Sequence, residues 1–153
     1  MPNSIIIKRL GAEVIEELTA TAVAIKPGFL LELASATTVQ AHSTAEGNVL
    51  PMFALEDQFQ GKAITADYAV SVKIQVWIPR RGDIVYAYLA DGEVAVIGSF
   101  LTSDGNGALD VYHADEPSDI QYPAGIVGQA IEAVDLSDSA NESALGRIQV
   151  RIL

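Results

Sequence analysis

Two histidines are the residues of this sequence best suited to metal binding or acid–base chemistry. His113 has Asp115 two positions beyond it, and His42 lies in a different part of the chain. A zinc site needs three or four ligands, so this spacing supplies too few, and we predict no metal site. We expect both histidines in loops or at strand edges. The chain contains no cysteine, which excludes disulfides, iron–sulfur clusters and a thiolate nucleophile.

The patterns of nucleophilic and phosphate-binding enzymes are missing. The sequence has no Gly-x-Ser-x-Gly elbow, no Gly-x-x-x-x-Gly-Lys loop and no dinucleotide fingerprint. Gly105 and Gly107 flank Asn106 with no helix pattern after them, so they predict a hairpin turn rather than a phosphate site. Neighbouring carboxylates such as Asp115 and Glu116 lie in polar stretches that do not tune them for acid–base catalysis. We therefore expect no catalytic residues and no cofactor.

One segment resembles part of an enzyme motif. Residues 64–70 read ITADYAV, which is similar to the Ile-Asp-x-Asp-Tyr-x-Gly stretch of trimeric dUTP pyrophosphatases. Thr65 stands in place of the first Asp, and the Gly after the Tyr is missing. The family's Pro-Arg-Ser motif and its Gly-rich C-terminal motif are absent as well. A nucleotide site is not expected without the carboxylate that orders Mg²⁺ and the phosphate-binding loop.

The elements around these residues are predicted to be β-strands. In residues 70–78, apolar residues at even positions alternate with Ser, Lys, Gln and Trp, as in a half-buried antiparallel strand. Ile148, Val150 and Ile152 repeat this alternation at the C-terminus. Asp-Gly and Asn-Gly dipeptides between short apolar runs indicate tight turns. The predicted fold class is all-β: a small β-barrel or sandwich with long loops, an N-terminal arm and little helix.

Helical spacing and long loops are confined to a few stretches. Residues 11–22 are the best helical candidate, although Thr and Val residues that favour strands follow the apolar positions. Three polar stretches are predicted to be long loops, at 34–48, 115–122 and 135–145.

The length of 153 residues predicts a single domain. We divide the chain into an N-terminal arm over residues 1–10, which is alternatively the first strand, and one β-rich domain over residues 11–153. Lys8 and Arg9 follow the N-terminal apolar run instead of preceding it, which is the wrong order for a signal peptide. No apolar run is long enough to predict a membrane span, and no membrane partner is expected.

The charge is distributed unevenly along the chain. Residues 1–81 carry seven basic and eight acidic side chains, whereas residues 82–153 carry two and twelve. The net charge of −11 repels a phosphate backbone, so we expect no direct binding to nucleic acid. The acidic half is either a solubilising surface or a surface complementary to a basic partner.

Taken in order, several segments resemble a decoration (cement) protein of a tailed-bacteriophage capsid. The most characteristic stretch is RGDIVYAYLADGE at 81–93, continued by GSFLTSDGNGAL at 98–109. The remaining matching segments are turns and strands without a catalytic signature, at 4–10, 25–32, 53–56, 61–62, Tyr68, 126–135 and 147–153.

This resemblance implies a structural virion protein and not an enzyme. Such a subunit is β-rich, forms a homotrimer and clamps the outer surface of the expanded capsid at three-fold and quasi-three-fold positions. Its partners are the major capsid protein and further copies of itself, and it is made in the host cytoplasm before it joins the virion. Many copies that bind only the mature lattice stabilise that lattice by linkage.

The residues predicted to contact the capsid or a neighbouring subunit are an apolar and basic run in the arm together with the lone tryptophan: Ile5, Ile6, Ile7, Lys8, Arg9 and Trp77. In proteins of this kind the arm commonly reaches a neighbour or the shell, which fits β-strand addition. Trp77 lies on the polar side of its predicted strand, where it serves as a ligand platform or packs at a subunit interface. We expect the near-neutral half to meet the partner and the acidic half to face solvent.

Two other functions stay open at this point. One is a generic β-barrel binding module, for example a sugar- or peptide-binding accessory domain. The other is a divergent trimer of the dUTP pyrophosphatase kind. A stable trimer without sugar or nucleotide binding favours the capsid interpretation over both.

Overall fold

The computed structural model describes residues 2–21, 24–113, 124–137 and 146–153. Its strands are β1 Ile6–Lys8, β2 Val14–Ala20, β3 Leu31–Leu33, β4 Thr38–Ala41, β5 Phe53–Ala54, β6 Lys73–Ile78, β7 Ile84–Leu89, β8 Val94–Ala95, β9 Phe100–Ser103, β10 Leu109–Val111, β11 Gly128–Ala130, β12 Val134–Asp135 and β13 Gly146–Ile152. The single helical element in these ranges is a 3₁₀ turn, Gln58–Gln60. The predicted all-β class with little helix is confirmed.

Five strands close into a barrel in the order β7, β10, β9, β11 and β13, and β13 returns to β7. The longest pairing joins β7 and β13, which are antiparallel from Leu89↔Gly146 to Ile84↔Arg151. On the other edge of β7, β10 reaches only Leu89. The N-terminal strand β1 pairs with the opposite end of that edge, at Ile84 and Val85. β1 therefore covers the part of β7 that β10 leaves open.

The barrel is filled by alternate residues of its strands. Ile148 and Val150 are fully buried, and Ile152 is almost so, as the period-two pattern predicts. Leu101 from β9 and Leu109 from β10 meet them inside. The C-terminal strand is thus held in the sheet by its own apolar face.

A second sheet of five strands runs in the order β3, β4, β2, β6 and β5. An isolated bridge between Leu30 and Phe53 brings the start of β3 next to β5, so the sheet curls back toward itself. The apolar residues on its inner side form a separate core, consisting of Leu18, Ala20, Ile25, Phe29, Leu31, Val39, Met52, Ala54, Tyr68, Ile74 and Val76.

Strand β6 contributes to both cores. Ile74 and Val76 belong to the core of the second sheet, whereas Trp77 is fully buried in the core of the barrel. Phe53 and Ala54 of β5 divide between the two cores in the same way. Because β5 and β6 stand between two cores, both of their faces are covered at this point.

The junction between the sheets depends on a glycine and a half-buried arginine. Gly28 has φ +96°, and a Cβ there would lie 3.0 Å from Tyr86 O and even closer to the Arg147 guanidinium. Arg147 Nη2 donates to Ile64 O at 2.7 Å and to Tyr88 Oη at 3.1 Å. The guanidinium carbon also lies 4.1 Å from the centre of the Tyr88 ring. The barrel strand β13 is thereby joined to the loop after the 3₁₀ turn.

Several local predictions were wrong. The helical candidate at 11–22 holds no helix over its described residues, 11–21, since Val14–Ala20 forms β2, whose pairing with β6 outweighs the helical spacing. The predicted loop at 34–48 contains strand β4, Thr38–Ala41. The strand predicted from residue 70 begins only at Lys73, because Ser71 has φ +63° in a turn. The predicted loop at 115–122 lies outside the described residues, as does that at 135–145 beyond residue 137.

Candidate assembly surfaces

The start of the N-terminal arm is fastened to its own chain through Glu56. Ser4 Oγ donates to one carboxylate oxygen of Glu56 at 2.7 Å, and the Ile5 N–H donates to the other at 3.1 Å. Burial disfavours the charge of Glu56, but the hydrogen bonds from Ser4, Gln58 and Ile5 outweigh it and lower the pKa of this carboxyl. The carboxylate is therefore kept charged to hold the arm.

The far end of the arm is held as well. The Leu10 N–H donates to Asp83 Oδ1 at 2.7 Å, and Asp83 is buried in the turn that precedes β7. The sequence Arg81-Gly82-Asp83 is thus a structural turn whose carboxylate caps the arm and also accepts from the Arg80 N–H at 2.8 Å. A polar anchor at each end accompanies the pairing of β1 with β7.

Two of the predicted contact residues cannot reach a partner. Ile5 and Trp77 are each fully buried in the barrel core of their own chain. The expectation of an exposed tryptophan failed because alternation assumes that one face of a strand meets water, whereas β6 is covered on both faces near Trp77.

The rest of the predicted run lies at the surface. Ile6 and Ile7 are half-buried against the barrel core, and Lys8 and Arg9 are exposed. Arg9 forms an ion pair with Glu13 of the same chain. Contact of these four residues with a partner stays a prediction.

An exposed apolar cluster that the sequence did not reveal lies between β8 and β9. Val94, Val96, Ile97 and Phe100 are 48%, 58%, 73% and 43% exposed; we call these four residues the β8–β9 patch. Strand β8 ends at Ala95, the chain then turns, with the Ser99 N–H donating to Val96 O, and Phe100 begins β9. The acidic half therefore also presents apolar surface, which the expectation of a purely solvent-facing half did not include.

Phe59 is a second exposed apolar feature. It is 89% exposed on the 3₁₀ turn, which Asp57 caps by accepting from the Gln60 N–H and which ends at Gly61 with φ +66°. The Asp and Gly on either side of Gln-Phe-Gln were a usable signal for this turn. An aromatic ring held in solvent by a capped turn is suited to binding rather than to core packing.

Ser103, His42 and Glu32 form a constellation of the kind used by hydrolases. Ser103 Oγ is 2.8 Å from His42 Nδ1, and Glu32 Oε2 is 3.8 Å from His42 Nε2. His42 Nε2 donates to Asn48 O, so Nδ1 is the acceptor in the neutral ring and Ser103 donates to it. A cavity of about 210 Å³ adjoins His42 and Glu32, but Ser103 is fully buried and does not line it. This serine cannot present its hydroxyl to a molecule in the cavity.

A carboxyl pair lies next to the β8–β9 patch. Burial, followed by the hydrogen bond and the charge of Glu93, raises the pKa of Asp110 to about 7. Glu93 also accepts from the Val111 N–H at 3.2 Å. The contact of Glu93 with the Val111 N–H ties the loop before β8 to β10.

The other residues that the sequence suggested for catalysis or metal binding form contacts within the chain or lie at the surface. Asp67, in the segment similar to the dUTP pyrophosphatase motif, pairs with Lys26 at 2.8 Å, and the Tyr68 hydroxyl donates to Leu55 O. His113 is exposed, and Asp115 lies outside the described residues. No group of three potential metal ligands occurs in the part of the chain that the structure describes. No helix in that part is long and apolar enough to cross a membrane.

Comparison with known proteins identifies a fold. No protein-family model matches the chain, and no curated protein sequence matches it. The crystal structure of the head fiber gp8.5 N base in bacteriophage phi29 is similar to it, with a TM-score of 0.55 and 14% sequence identity. The similarity covers 93% of this chain and 95% of the phage chain. At this identity the two chains share the fold over almost their whole length.

Proposed function

We propose that this protein is a structural subunit of a bacteriophage head, that it binds the outer surface of the capsid as a trimer, and that it stabilises the mature shell. It acts by binding and catalyses no reaction. Its partners are the major capsid protein and other copies of itself.

The observation that carries this proposal is the fold similarity to a phage head fiber base over nearly the full length of both chains. A match over 93% of this chain extends beyond the barrel strands alone. It agrees with the sequence resemblance to capsid decoration proteins, which rests on turns and strands of the same chain.

The surface of the chain supports a role in assembly. The β8–β9 patch and Phe59 expose large apolar side chains, which soluble monomers seldom cluster. The arm is anchored by Glu56 and Asp83, so its exposed basic residues are presented on a fixed strand. Fixed surfaces lose little conformational entropy on binding, which favours attachment to a rigid lattice.

The proposed mechanism is energetic. A subunit that binds only the expanded lattice lowers the free energy of that lattice by RT ln(1 + [L]/Kd) at each site. Many sites with modest affinity then add up to a large resistance of the expanded shell against rupture.

Binding to particles tests the proposal. Capsids from a phage that lacks this gene product are mixed with the purified protein and pelleted, in the expanded and in the unexpanded form. We expect saturable binding to expanded capsids only and a higher temperature of DNA release. Equal binding to both forms would contradict the stabilising mechanism, and binding to neither form would contradict the proposed function.

A further inference from the structure

Strand β2 has a free edge over most of its length. It pairs with β6 over six residues, from Val14↔Ile78 to Thr19↔Lys73, whereas β4 reaches only Thr19 and Ala20 on the other side. Residues 14–18 therefore have no strand partner on that side among the described residues. An unpaired strand edge is a ready template for another strand.

The backbone groups on this edge can be assigned from the hydrogen bonds of its last residues. The Ala20 N–H donates to Val72 O, toward β6, and the Thr19 N–H donates to Thr37 O, on the opposite side. Because the direction alternates along an antiparallel strand, Ile15 and Glu17 also direct their N–H and C=O groups away from β6. Neither N–H donates to a turn or loop among the described residues.

The side chains along this edge follow a simple order. Val14 and Ile15 are apolar and 41% and 42% exposed, and Glu16 and Glu17 are acidic and exposed. Neither Glu16 nor Glu17 forms an ion pair among the described residues. The edge thus reads apolar, apolar, acidic, acidic.

The other edge of β1 carries the complementary order. β1 pairs only with β7 among the described strands, so this edge has no strand partner there. The three residues of β1 and the residue after it are Ile, Ile, Lys and Arg, an order of two apolar and two basic residues. Arg9 pairs with Glu13 of its own chain, so contact with an acid of another copy means sharing or exchanging that partner. In a parallel alignment of residues 6–9 with residues 14–17, each apolar residue meets an apolar residue and each base meets an acid. In an antiparallel alignment each charged residue would meet an apolar one.

We propose that β1 of one copy adds in parallel to β2 of the next copy, with residues 6–9 alongside residues 14–17. The contact joins two different edges, so it links copies head to tail and can close into a ring. This contact would form the interface of the proposed trimer, so the inference rests on the proposed function to that extent. Pairing of β2 with β2 of another copy is disfavoured because it would bring four unpaired glutamates together.

Charge reversal on both sides of the contact provides the test. Lys8→Glu with Arg9→Glu makes both edges acidic, and Glu16→Lys with Glu17→Lys makes both basic. The fourfold variant restores opposite charges. Sedimentation velocity at about 0.15 M salt measures association, and urea unfolding followed by Trp77 fluorescence shows that each variant folds. Arg81→Glu with Asp91→Lys, two exposed residues outside both edges, is the matched control.

We expect each double reversal to weaken association by about tenfold or more, since two exposed ion pairs become repulsive, and the fourfold variant to recover to within about threefold of the native protein. The control should associate normally. Association that no reversal changes would overturn the proposal. So would reversals whose effects persist in the fourfold variant, because the edges would then bind something other than each other. If the charge swap behaves as expected but the protein binds no particles, the interface stands and the proposed function fails.

Discussion

The barrel and the second sheet differ in how completely their strand edges are paired. In the barrel, β13 returns to β7 and β1 covers the rest of the open edge, so the barrel strands are paired around the full circle. In the second sheet, β2 extends past β4, and the edge of residues 14–18 has no strand partner within the described ranges. Closure supplies stability, whereas an open edge supplies backbone groups for a partner. The barrel is therefore the stable scaffold, and the second sheet is the side that can extend by adding strands.

The two regions nevertheless depend on each other, because Trp77 belongs to a strand of the second sheet and fills the core of the barrel. We expect Trp77→Ala to cost about 3–5 kcal/mol of unfolding free energy, the largest effect of any single change considered, since it empties a buried site. Urea unfolding followed by far-ultraviolet circular dichroism measures the loss. Both regions should unfold in one transition; two separate transitions would show that the regions fold independently.

A matched variant separates volume from polarity. Trp77 Nε1 is buried and has no hydrogen-bond partner among the described residues. Trp77→Phe removes this unpaired donor and much less volume, so its cost should be clearly smaller than that of Trp77→Ala.

The junction at Arg147 gives the next largest expected effect. Arg147→Lys keeps the charge but cannot reproduce both the hydrogen bond to Ile64 O and the stacking on Tyr88. We expect a loss of about 1–3 kcal/mol in urea unfolding. Arg151→Lys, an exposed position on the same strand, is the control and should stay within about 0.5 kcal/mol. Equal costs at both positions would argue against a specific role of the junction.

The Glu93–Asp110 pair makes the stability of the barrel depend on pH. The folded-state pKa of Asp110 is raised from 3.8 to about 7, so folding favours the protonated acid. Its stabilising contribution is complete below about pH 4 and is lost as the pH rises through about 7. Asp110→Asn cannot ionise. Between pH 5 and pH 8 its free energy of unfolding should therefore fall by about 1–3 kcal/mol less than that of the native protein. Asp91→Asn, an exposed control, should show the same dependence of unfolding free energy on pH as the native protein. If Asp110→Asn also showed the native dependence, Asp110 would not be its source.

The smallest effect on folding is expected at the open edge. Ile15→Ser changes a side chain that is 42% exposed, and the pairing of β2 with β6 remains. The unfolding free energy of the monomer should change by no more than about 0.5 kcal/mol. Ile74→Ala, in the same pairing but in the core, should cost about 2–5 kcal/mol. Comparable losses at Ile15 and Ile74 would mean that the edge serves folding rather than assembly.

The period-two pattern was a sound guide to the fold wherever one face of a strand meets water. It predicted the buried positions of β13 and the all-β class from Ile148, Val150 and Ile152. It failed at Trp77, because a strand between two cores buries both faces, and at Val70 and Val72, because Ser71 turns the chain before the strand begins. Register and closure are properties of pairs of distant strands, so alternation within one strand cannot reveal them.

The candidate surfaces were less accessible to sequence reasoning than the fold. The basic residues of the arm, which were predicted to contact a partner, are exposed, but Ile5 is buried beside them, because the arm is itself a strand with an inner face. The β8–β9 patch was hidden in a segment that reads as an ordinary strand. Its exposure depends on the turn at Ser99, whose side chain accepts from the Val96 N–H.

Quantitative mass spectrometry of purified virions tests the central claim most directly. If this chain is a structural subunit on the phage head, it should remain with the particles through density-gradient purification, at a copy number comparable to that of the major shell protein. Absence from the purified particles, while the protein is abundant in the infected cell, would contradict the account.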